Sequence, residues 1–135
     1  METTTLTIPT GARSTTVDMT KEVSDFCANK GDGLVSVFIP HATAGVAIFE
    51  TGAGSNTDLL SAIDDLLPAD PGRWRHEHGT PGHGRDHVLP AIISPSVTVP
   101  VQQGRMLLGT WQSVVLVDTN VDNPTRTVRL SFIAG

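Results

Sequence analysis

The sequence predicts an α+β fold: a single domain over residues 1–135 in which mostly antiparallel β-sheets pack against two main helices. About seven short segments alternate or are rich in β-branched residues, and only two segments show a clear helical period. The 13 glycines and 9 prolines supply turns between these short elements. Because helices do not follow strands one by one, hairpin-linked antiparallel sheets are favoured over βαβ units.

The first two strands are predicted to form a hairpin. Thr3–Ile8 and Arg13–Asp18 are threonine-rich and partly alternating, and the turn residues Pro9–Gly11 separate them. Two strands joined by so short a turn are expected to pair with each other.

A helix is predicted to follow, capped by Thr20 and ending at the glycine of residues 29–31. Its residues Val23, Phe26 and Cys27 share one face. Cys27 is the only cysteine, which excludes an intrachain disulfide and a thiolate metal cluster. Core packing is therefore the expected role of Cys27.

Apolar periodicity and chain breakers define the remaining elements. The strongest helix signal is a stripe of leucines around Ile63, stopped by Pro68. The last strand alternates, with Val128, Leu130 and Phe132 facing inward, whereas the strand before it is apolar on both faces, as in a buried central strand. In chain order the predicted elements are strands at 34–39 and 46–50, a helix from 55 or 56 to 67, a short helix within 87–94, strands at 97–101 and 107–118, a turn at 120–124 and a strand at 125–134.

Charge and composition exclude several classes of function. The net charge is −5 and no run of lysine or arginine occurs, so neither nucleic acid nor an anionic membrane is an expected partner. The N-terminus lacks a secretory leader pattern, and no apolar run has the length of a bilayer span. The expectation is a cytoplasmic protein with small-molecule partners.

Common catalytic motifs are missing from the sequence. It contains no G-x-G-x-x-G segment after a strand, no P-loop and no G-x-S-x-G elbow, so nucleotide-dependent and serine-hydrolase functions lose their usual support. His76 and His78 lie two residues apart, which does not match the i, i+4 pair of a zincin metalloprotease.

Histidines concentrate in one glycine- and proline-rich segment. Imidazole is a common metal ligand and titrates near neutral pH, so this clustering points to metal or proton chemistry. Solvent-exposed histidines without a function are the alternative. Pro40 places the fifth histidine, His41, at a strand end. The four clustered residues are His76, His78, His83 and His87.

Several of these features together resemble the YjbQ family, small trimeric proteins proposed to be secondary thiamine-phosphate synthases. The most specific match is the block Gly104–Gln112, G-R-x-x-L-G-T-W-Q, and the match runs from about His41 to the C-terminus. The resemblance implies a compact α+β protomer and a homotrimer with clefts between subunits. The other matching positions are His41–Gly45, Glu50, Asp58, Arg75, His76, Asp86 and His87.

The resemblance also implies a metal site formed by His41, His76 and His87, with zinc the preferred divalent ion and magnesium the alternative. Three imidazoles with open positions are typical of a catalytic zinc site, at which the metal acts as a Lewis acid or activates a water molecule. His78 and His83 occupy a loop that is usually acidic in the family, and they are expected to be mobile and dispensable.

Two arginines and three further residues complete the predicted site. Arg75 and Arg105 are expected to bind phosphate oxygens. Glu50 and Asp58 are expected to orient metal-bound water or a second cation, and Gln112 to bind a cleft ligand. Without the resemblance, a solvated strand end for Glu50, a helix-dipole partner for Asp58 and a plain turn residue for Arg105 remain equally open.

The function implied is a transferase that joins hydroxymethylpyrimidine diphosphate to a thiazole phosphate and releases pyrophosphate. Two alternatives remain open at this point. One is a non-catalytic trimer that binds a metal or a phosphate ligand, and the other is a metal-dependent hydrolase. The same histidine site would serve all three functions.

Overall fold

Eight β-strands form two antiparallel sheets, and three α-helices and one 3-10 helix complete the α+β fold that the sequence predicts. The computed structural model describes residues 1–135. None of its helices combines the length and the apolar character that a membrane span requires. In chain order the elements are β1 (Glu2–Pro9), β2 (Thr15–Asp18), α1 (Thr20–Cys27), β3 (Gly33–Phe38), β4 (Ala44–Phe49), α2 (Ser55–Leu66), the 3-10 helix (His83–His87), α3 (Leu89–Ile92), β5 (Ser96–Gln102), β6 (Arg105–Met106), β7 (Ser113–Asp118) and β8 (Thr125–Ala134).

Most consecutive strands lie in different sheets. The larger sheet has the order β1-β8-β3-β5-β6, and the smaller sheet has the order β2-β7-β4. Only β5 and β6 form a hairpin, through a turn in which Gln103 and Gly104 both have positive φ (50° and 75°). The prediction of antiparallel pairing is confirmed. The prediction that hairpins join most of the strands is wrong.

The predicted first hairpin is wrong. The chain does turn after β1, where Gly11 has φ 72°, but β1 pairs with β8 and β2 pairs with β7. Leu6 lies opposite Val128 in the larger sheet, and Val17 lies opposite Leu116 in the smaller one. Turn residues determine that the chain reverses, but the available partner strands determine where each reversed segment pairs.

The predicted strand 107–118 is also too long. Only Ser113–Asp118 forms β7, and the segment before it is a loop in which Gln112 Oε1 accepts a hydrogen bond from the Gly109 N–H at 2.7 Å. The strand itself is buried on both faces, as predicted. Leu116 packs in the core between the sheets, whereas Val117 packs against Ile63 of α2 and Leu89 of α3.

The first helix packs into the core, as its apolar face predicts. Met19, Val23 and Cys27 are fully buried, so the predicted core role of Cys27 is confirmed. Thr20 begins the helix instead of capping it: its N–H donates to Asp18 Oδ1 at 2.9 Å. Its hydroxyl accepts a hydrogen bond from the Val114 N–H at 2.9 Å, which ties α1 to β7.

The other two predicted helices lie close to their expected positions. Helix α2 begins at Ser55 and its last turn is buried through Ile63 and Leu67, although Leu66 at the end of the stripe is exposed. The predicted short helix within 87–94 is α3, directly preceded by the 3-10 helix. These short helices carry the histidine-rich segment onto one end of the smaller sheet.

Candidate metal centre and adjoining cavity

The histidine-rich segment folds into a loop followed by the 3-10 helix. Gly82 makes the transition with φ 83°, and a Cβ there would collide with the carbonyl oxygen of Ala69. A Cβ at Gly84 would collide with the side chain of Trp74. Two glycines therefore permit the close packing that holds this segment against the end of α2.

Four histidines meet at this place. The ligating nitrogens of His76, His78, His83 and His87 all lie within 4.8 Å of one another. His83 and His87 come from the 3-10 helix, and their Nε2 atoms are 3.0 Å apart. The ring centroids of His76 and His87 are 3.8 Å apart. The structure thus combines two of the predicted metal ligands with the two histidines that were expected to be dispensable.

His83 is the most enclosed member of this cluster, contrary to its predicted mobility. It is 8% exposed, and its Nδ1 lies 3.3 Å from Asp86 Oδ2 and 3.2 Å from Asp122 Oδ2. The Nδ1 atom is buried and makes no well-aligned hydrogen bond, so the two carboxylates act on it as neighbouring charges. Carboxylates beside Nδ1 favour a proton there and leave the Nε2 lone pair free.

The two carboxylates are themselves held in place. Asp86 Oδ1 accepts a hydrogen bond from the Thr119 hydroxyl at 2.6 Å, and burial raises the pKa of Asp86. Asp122 accepts hydrogen bonds from the hydroxyl and the N–H of Thr80, which lower the pKa of Asp122. Asp86 is thus oriented by Thr119 from outside the histidine segment, and Asp122, itself outside the segment, is oriented by Thr80 from within it.

The protein environment favours the neutral form of two of the clustered imidazoles. Desolvation and then the neighbouring His78 and His83 lower the pKa of His76. Desolvation, followed by the charges of the other three histidines, lowers the pKa of His87. A neutral imidazole is the form that binds a metal ion, so both shifts favour ligation at neutral pH.

His41 stands apart from the four-histidine cluster, against its predicted role as a metal ligand. Its Nε2 accepts a hydrogen bond from the Thr127 N–H at 2.9 Å, beside the point where β3 and β8 stop pairing. This bond occupies one ring lone pair and places the ring proton of the neutral form on Nδ1. Neither nitrogen then has a lone pair free for a metal ion. Desolvation and the nearby Arg126 lower the pKa of His41.

A cavity of about 390 Å³ adjoins the cluster. Its floor is a buried ion pair in which Arg126 Nε donates to Asp118 Oδ2 at 2.6 Å. His41 and three histidines of the cluster line this cavity. His41 is not one of the four clustered histidines. The residues that line the cavity include His41, Thr43, His83, His87, Asn120, Asp122 and Arg126.

The five remaining predicted site residues do not line this cavity. Glu50, Asp58 and Gln112 are exposed, and Gln112 hydrogen-bonds within its own loop. Arg75 is exposed beside His76, and Arg105 lies in β6 of the larger sheet. Within one chain, the structure does not combine these residues with the histidines.

Two of them directly follow a residue pair at the opposite end of the smaller sheet. Phe49 of β4 pairs with Ser113 of β7, so Glu50 and Gln112 follow at the next pair of positions. The other end of the same two strands, where Ala44 pairs with Asp118, adjoins the cavity. Five residue steps, roughly 17 Å at about 3.4 Å each, separate the two ends.

Sequence reasoning missed two features of the site for which signals existed. His83 and His87 have the i, i+4 spacing of a helical ligand pair. Arg126 continues the inward-facing alternation of Val128 and Leu130, and an arginine on a core-facing position requires a buried partner. The contributions of Asp122 and Thr80 had no comparable signal.

The residues present fit a divalent metal ion bound through nitrogen. Two imidazole nitrogens on one tetrahedral zinc stand about 3.3 Å apart, given Zn–N distances of about 2.0–2.1 Å. The His83 and His87 Nε2 atoms, at 3.0 Å, are close to this separation before any adjustment. The carboxylates beside His83 Nδ1 match the outer-shell partners that metal-bound histidines usually have.

The fold and the cluster together define a small α+β protein with a candidate histidine metal centre beside a polar cavity. The chain belongs to the UPF0047 protein YjbQ-like family, whose profile matches residues 4–135. It is 60% identical to the UPF0047 protein Rv2556c of Mycobacterium tuberculosis over 135 residues, covering 100% of both chains. It is 33% identical to the UPF0047 protein YugU of Bacillus subtilis, covering 96% of this chain and 97% of YugU.

A solved structure supports the fold assignment. The crystal structure of APE1520 from Aeropyrum pernix superposes with a TM-score of 0.88 at 33% identity, and the match covers 100% of each chain. The two-sheet architecture is therefore shared with this solved structure.

Proposed function

We propose that His76, His78, His83 and His87 bind one divalent metal ion, and that this ion supports a transferase reaction of the thiamine-phosphate synthase type. The observation that carries the metal site is the convergence of four imidazoles whose ligating nitrogens lie within 4.8 Å of one another. Four histidines placed so closely without an ion would repel one another as soon as more than one became protonated.

Zinc is the preferred ion. Imidazole nitrogens suit zinc, whereas magnesium prefers oxygen ligands in octahedral geometry and keeps several waters. The carboxylates of Asp86 and Asp122 face His83 Nδ1, on the other side of that ring from its Nε2. The cluster itself therefore offers nitrogen and no oxygen to an ion at its centre.

The reaction class rests on the family resemblance and on the cavity beside the cluster. A bound metal would supply positive charge to an oxygen that gains negative charge as pyrophosphate departs. The chain's own cavity residues would bind and orient the phosphorylated substrates, and the ion pair of Arg126 with Asp118 makes the cavity floor rigid. Arg75, beside His76, remains a proposed phosphate ligand.

A homotrimer is part of this proposal. Glu50 and Gln112 lie at the far end of the smaller sheet from the histidines, so a second subunit is required if they are to reach a histidine cavity. Large apolar side chains are exposed near this end, including Trp111 at 72% and Leu107 at 55%. Such side chains are typical of surfaces that associate.

A specific observation also favours the second candidate, a trimer that binds a metal or a phosphate ligand without catalysis. Four protein ligands fill a tetrahedral zinc site, whereas catalytic zinc sites usually keep one position open. His76 and His78 are exposed, so a substrate could displace one of them and open a position on the metal. Such a displacement would favour the catalytic function over the non-catalytic one.

The proposal is tested by metal content and turnover measured on the same preparations. His83→Ala is expected to lose the bound metal, whereas His41→Ala is expected to retain it, because the Nε2 of His41 is occupied by the Thr127 N–H. Retention of metal by His83→Ala would contradict the ligand set. Turnover of hydroxymethylpyrimidine diphosphate and thiazole phosphate by the zinc-loaded parent tests the transferase, and metal binding without turnover would favour the binding trimer.

A further inference from the structure

One side of a nearly buried arginine has no partner in the protein. Arg126 is 2% exposed and lies on the core-facing side of β8. Its Nε and Nη2 donate to the two carboxylate oxygens of Asp118, at 2.6 and 3.0 Å, and Nη2 also donates to Thr43 Oγ1 at 2.8 Å. Its Nη1 makes no hydrogen bond with the protein, and this atom is not completely buried. Two N–H donors therefore remain available where Arg126 lines the cavity.

His41 brings a second unused donor to the same cavity. Because its Nε2 accepts the Thr127 N–H, the ring proton lies on Nδ1, for which the protein provides no acceptor. Desolvation and Arg126 lower the pKa of His41, which favours the neutral ring with this single donor. The chain thus fixes both the tautomer and the orientation of His41 beside Arg126.

The side-chain acceptors of Asn120 and Asp122 in this part of the cavity already have partners. Asn120 Nδ2 donates to Thr43 Oγ1 at 3.0 Å, and Asn120 Oδ1 accepts the Asp122 N–H at 2.7 Å. The Asp122 carboxylate accepts hydrogen bonds from Thr80 and lies beside His83 Nδ1. The groups that remain free at Arg126 and His41 are all donors, and a ligand that matches only donors carries acceptor oxygens.

We propose that Arg126 and His41 form an oxyanion-binding subsite, distinct from the predicted phosphate ligands Arg75 and Arg105. The subsite takes the phosphate or carboxylate group of a small ligand through Arg126 Nη1 and His41 Nδ1. A cavity of about 390 Å³ has room for such a group together with a small organic body. That this oxyanion belongs to a substrate of the histidine centre rests on the proposed function; the subsite itself requires no metal ion.

The test is binding of inorganic phosphate and, separately, acetate to the metal-free full-length protein, measured by calorimetry. Arg126→Lys keeps the charge beside Asp118 but loses the planar fork, and it is expected to weaken binding of the preferred ion roughly tenfold or more. Arg129→Lys makes the same chemical change at an exposed position of the same strand and is the matched control. If the parent binds phosphate more tightly than acetate, the ligand group is a phosphate; if it binds acetate more tightly, the group is a carboxylate.

A second variant covers the case in which Arg126→Lys does not fold. His41→Leu keeps both Arg126 and Asp118; it removes the imidazole donor together with the acceptor of the Thr127 N–H, and it is expected to weaken the same ion several-fold. Binding of both ions by both variants as tightly as by the parent would overturn the subsite, as would a parent that binds neither ion. Because no metal is present, these results are independent of the metal-content test of the histidine cluster.

Discussion

The two ends of the β4–β7 pair differ in how completely one chain builds them. At the histidine end, several charged groups are buried and held by neighbours: Asp118 holds Arg126, and Asp86 and Asp122 flank His83. At the opposite end, Glu50 and Gln112 are exposed. One chain thus provides the geometry of the first end, whereas the second end has predicted site residues without a site around them.

This difference predicts two kinds of effect for substitutions within one small sheet. Buried, mutually hydrogen-bonded groups can hold ligands in fixed positions without help from another subunit. Exposed polar and aromatic residues acquire such order only when another surface covers them. Substitutions at the histidine end should therefore affect folding and ligand affinity, whereas those at the opposite end should affect function with little effect on folding.

The largest expected effect is on the buried ion pair of the cavity floor. Asp118→Ala leaves the guanidinium of Arg126 buried without its partner, so the free energy of unfolding should fall by about 3–5 kcal/mol. Urea denaturation of the metal-free protein measures this loss. Asp25→Ala, which breaks the exposed pair with Lys21, is the control and should leave the midpoint unchanged. Equal midpoints for the two variants would contradict the assigned importance of burial.

The next effect concerns the carboxylates beside His83. Asp86→Asn preserves the size of the side chain but removes the charge near His83 Nδ1, so zinc affinity should fall about 10–100-fold. Competition with a chromophoric chelator measures the affinity. Asp65→Asn, at an exposed position of α2, makes the same change away from the cluster. Unchanged zinc affinity in Asp86→Asn would show that this carboxylate does not support the ligand.

A smaller effect is expected from pH on the metal-free protein. The pKa values of His41, His76 and His87 are lowered in the folded state, so the unfolded chain binds protons more tightly. Stability is therefore retained above the unfolded pKa of about 6.5 and falls as pH decreases through the range between the unfolded and folded values. The raised pKa of Asp86 acts in the opposite direction at lower pH.

Urea midpoints at about pH 7.5 and pH 5.5, with a chelator present, measure this dependence on either side of the unfolded imidazole pKa. The parent should be less stable at the lower pH, and His87→Asn should lose less stability between the two. A parent that is equally stable at both values would contradict the pKa shifts.

The smallest effect on folding is expected at the opposite end. Gln112→Ala removes an exposed side chain whose only protein partner is the Gly109 N–H, so the free energy of unfolding should change by no more than about 0.5 kcal/mol. Zinc content should not change, whereas turnover should decrease if this end meets the histidine cavity of a neighbouring subunit. A loss of zinc would contradict the separation of the two ends.

The elements predicted well are those whose signal is local. The stripe around Ile63 with Pro68 behind it predicted α2, and the alternation around Leu130 predicted β8. The first hairpin failed because pairing depends on distant strands: the long, alternating β8 offers β1 a better partner than the short β2 does. The apolar residues before Ser113 suggested a longer β7, but they lie in a loop in which Leu107 and Trp111 are exposed and Leu108 packs against the core.

The sequence indicated several residues of the site, but it did not indicate how the fold brings them together. Four clustered histidines and the block around Trp111 were visible in the sequence. The enclosure of His83 was not, because it depends on Asp122 and Thr119, which approach from the loop after β7. The exclusion of His41 from the ligand set depends on a single contact with Thr127, which only the register of β3 and β8 establishes.

The most direct test of the four-histidine centre is X-ray absorption at the zinc edge of the zinc-loaded parent and of His83→Ala. The parent should show a first shell of nitrogen at about 2.0–2.1 Å, with multiple scattering from four imidazoles. His83→Ala should lose stoichiometric zinc or show a shell with fewer imidazoles and added oxygen. An identical four-imidazole shell in both proteins, or a parent shell composed mainly of oxygen, would contradict this centre.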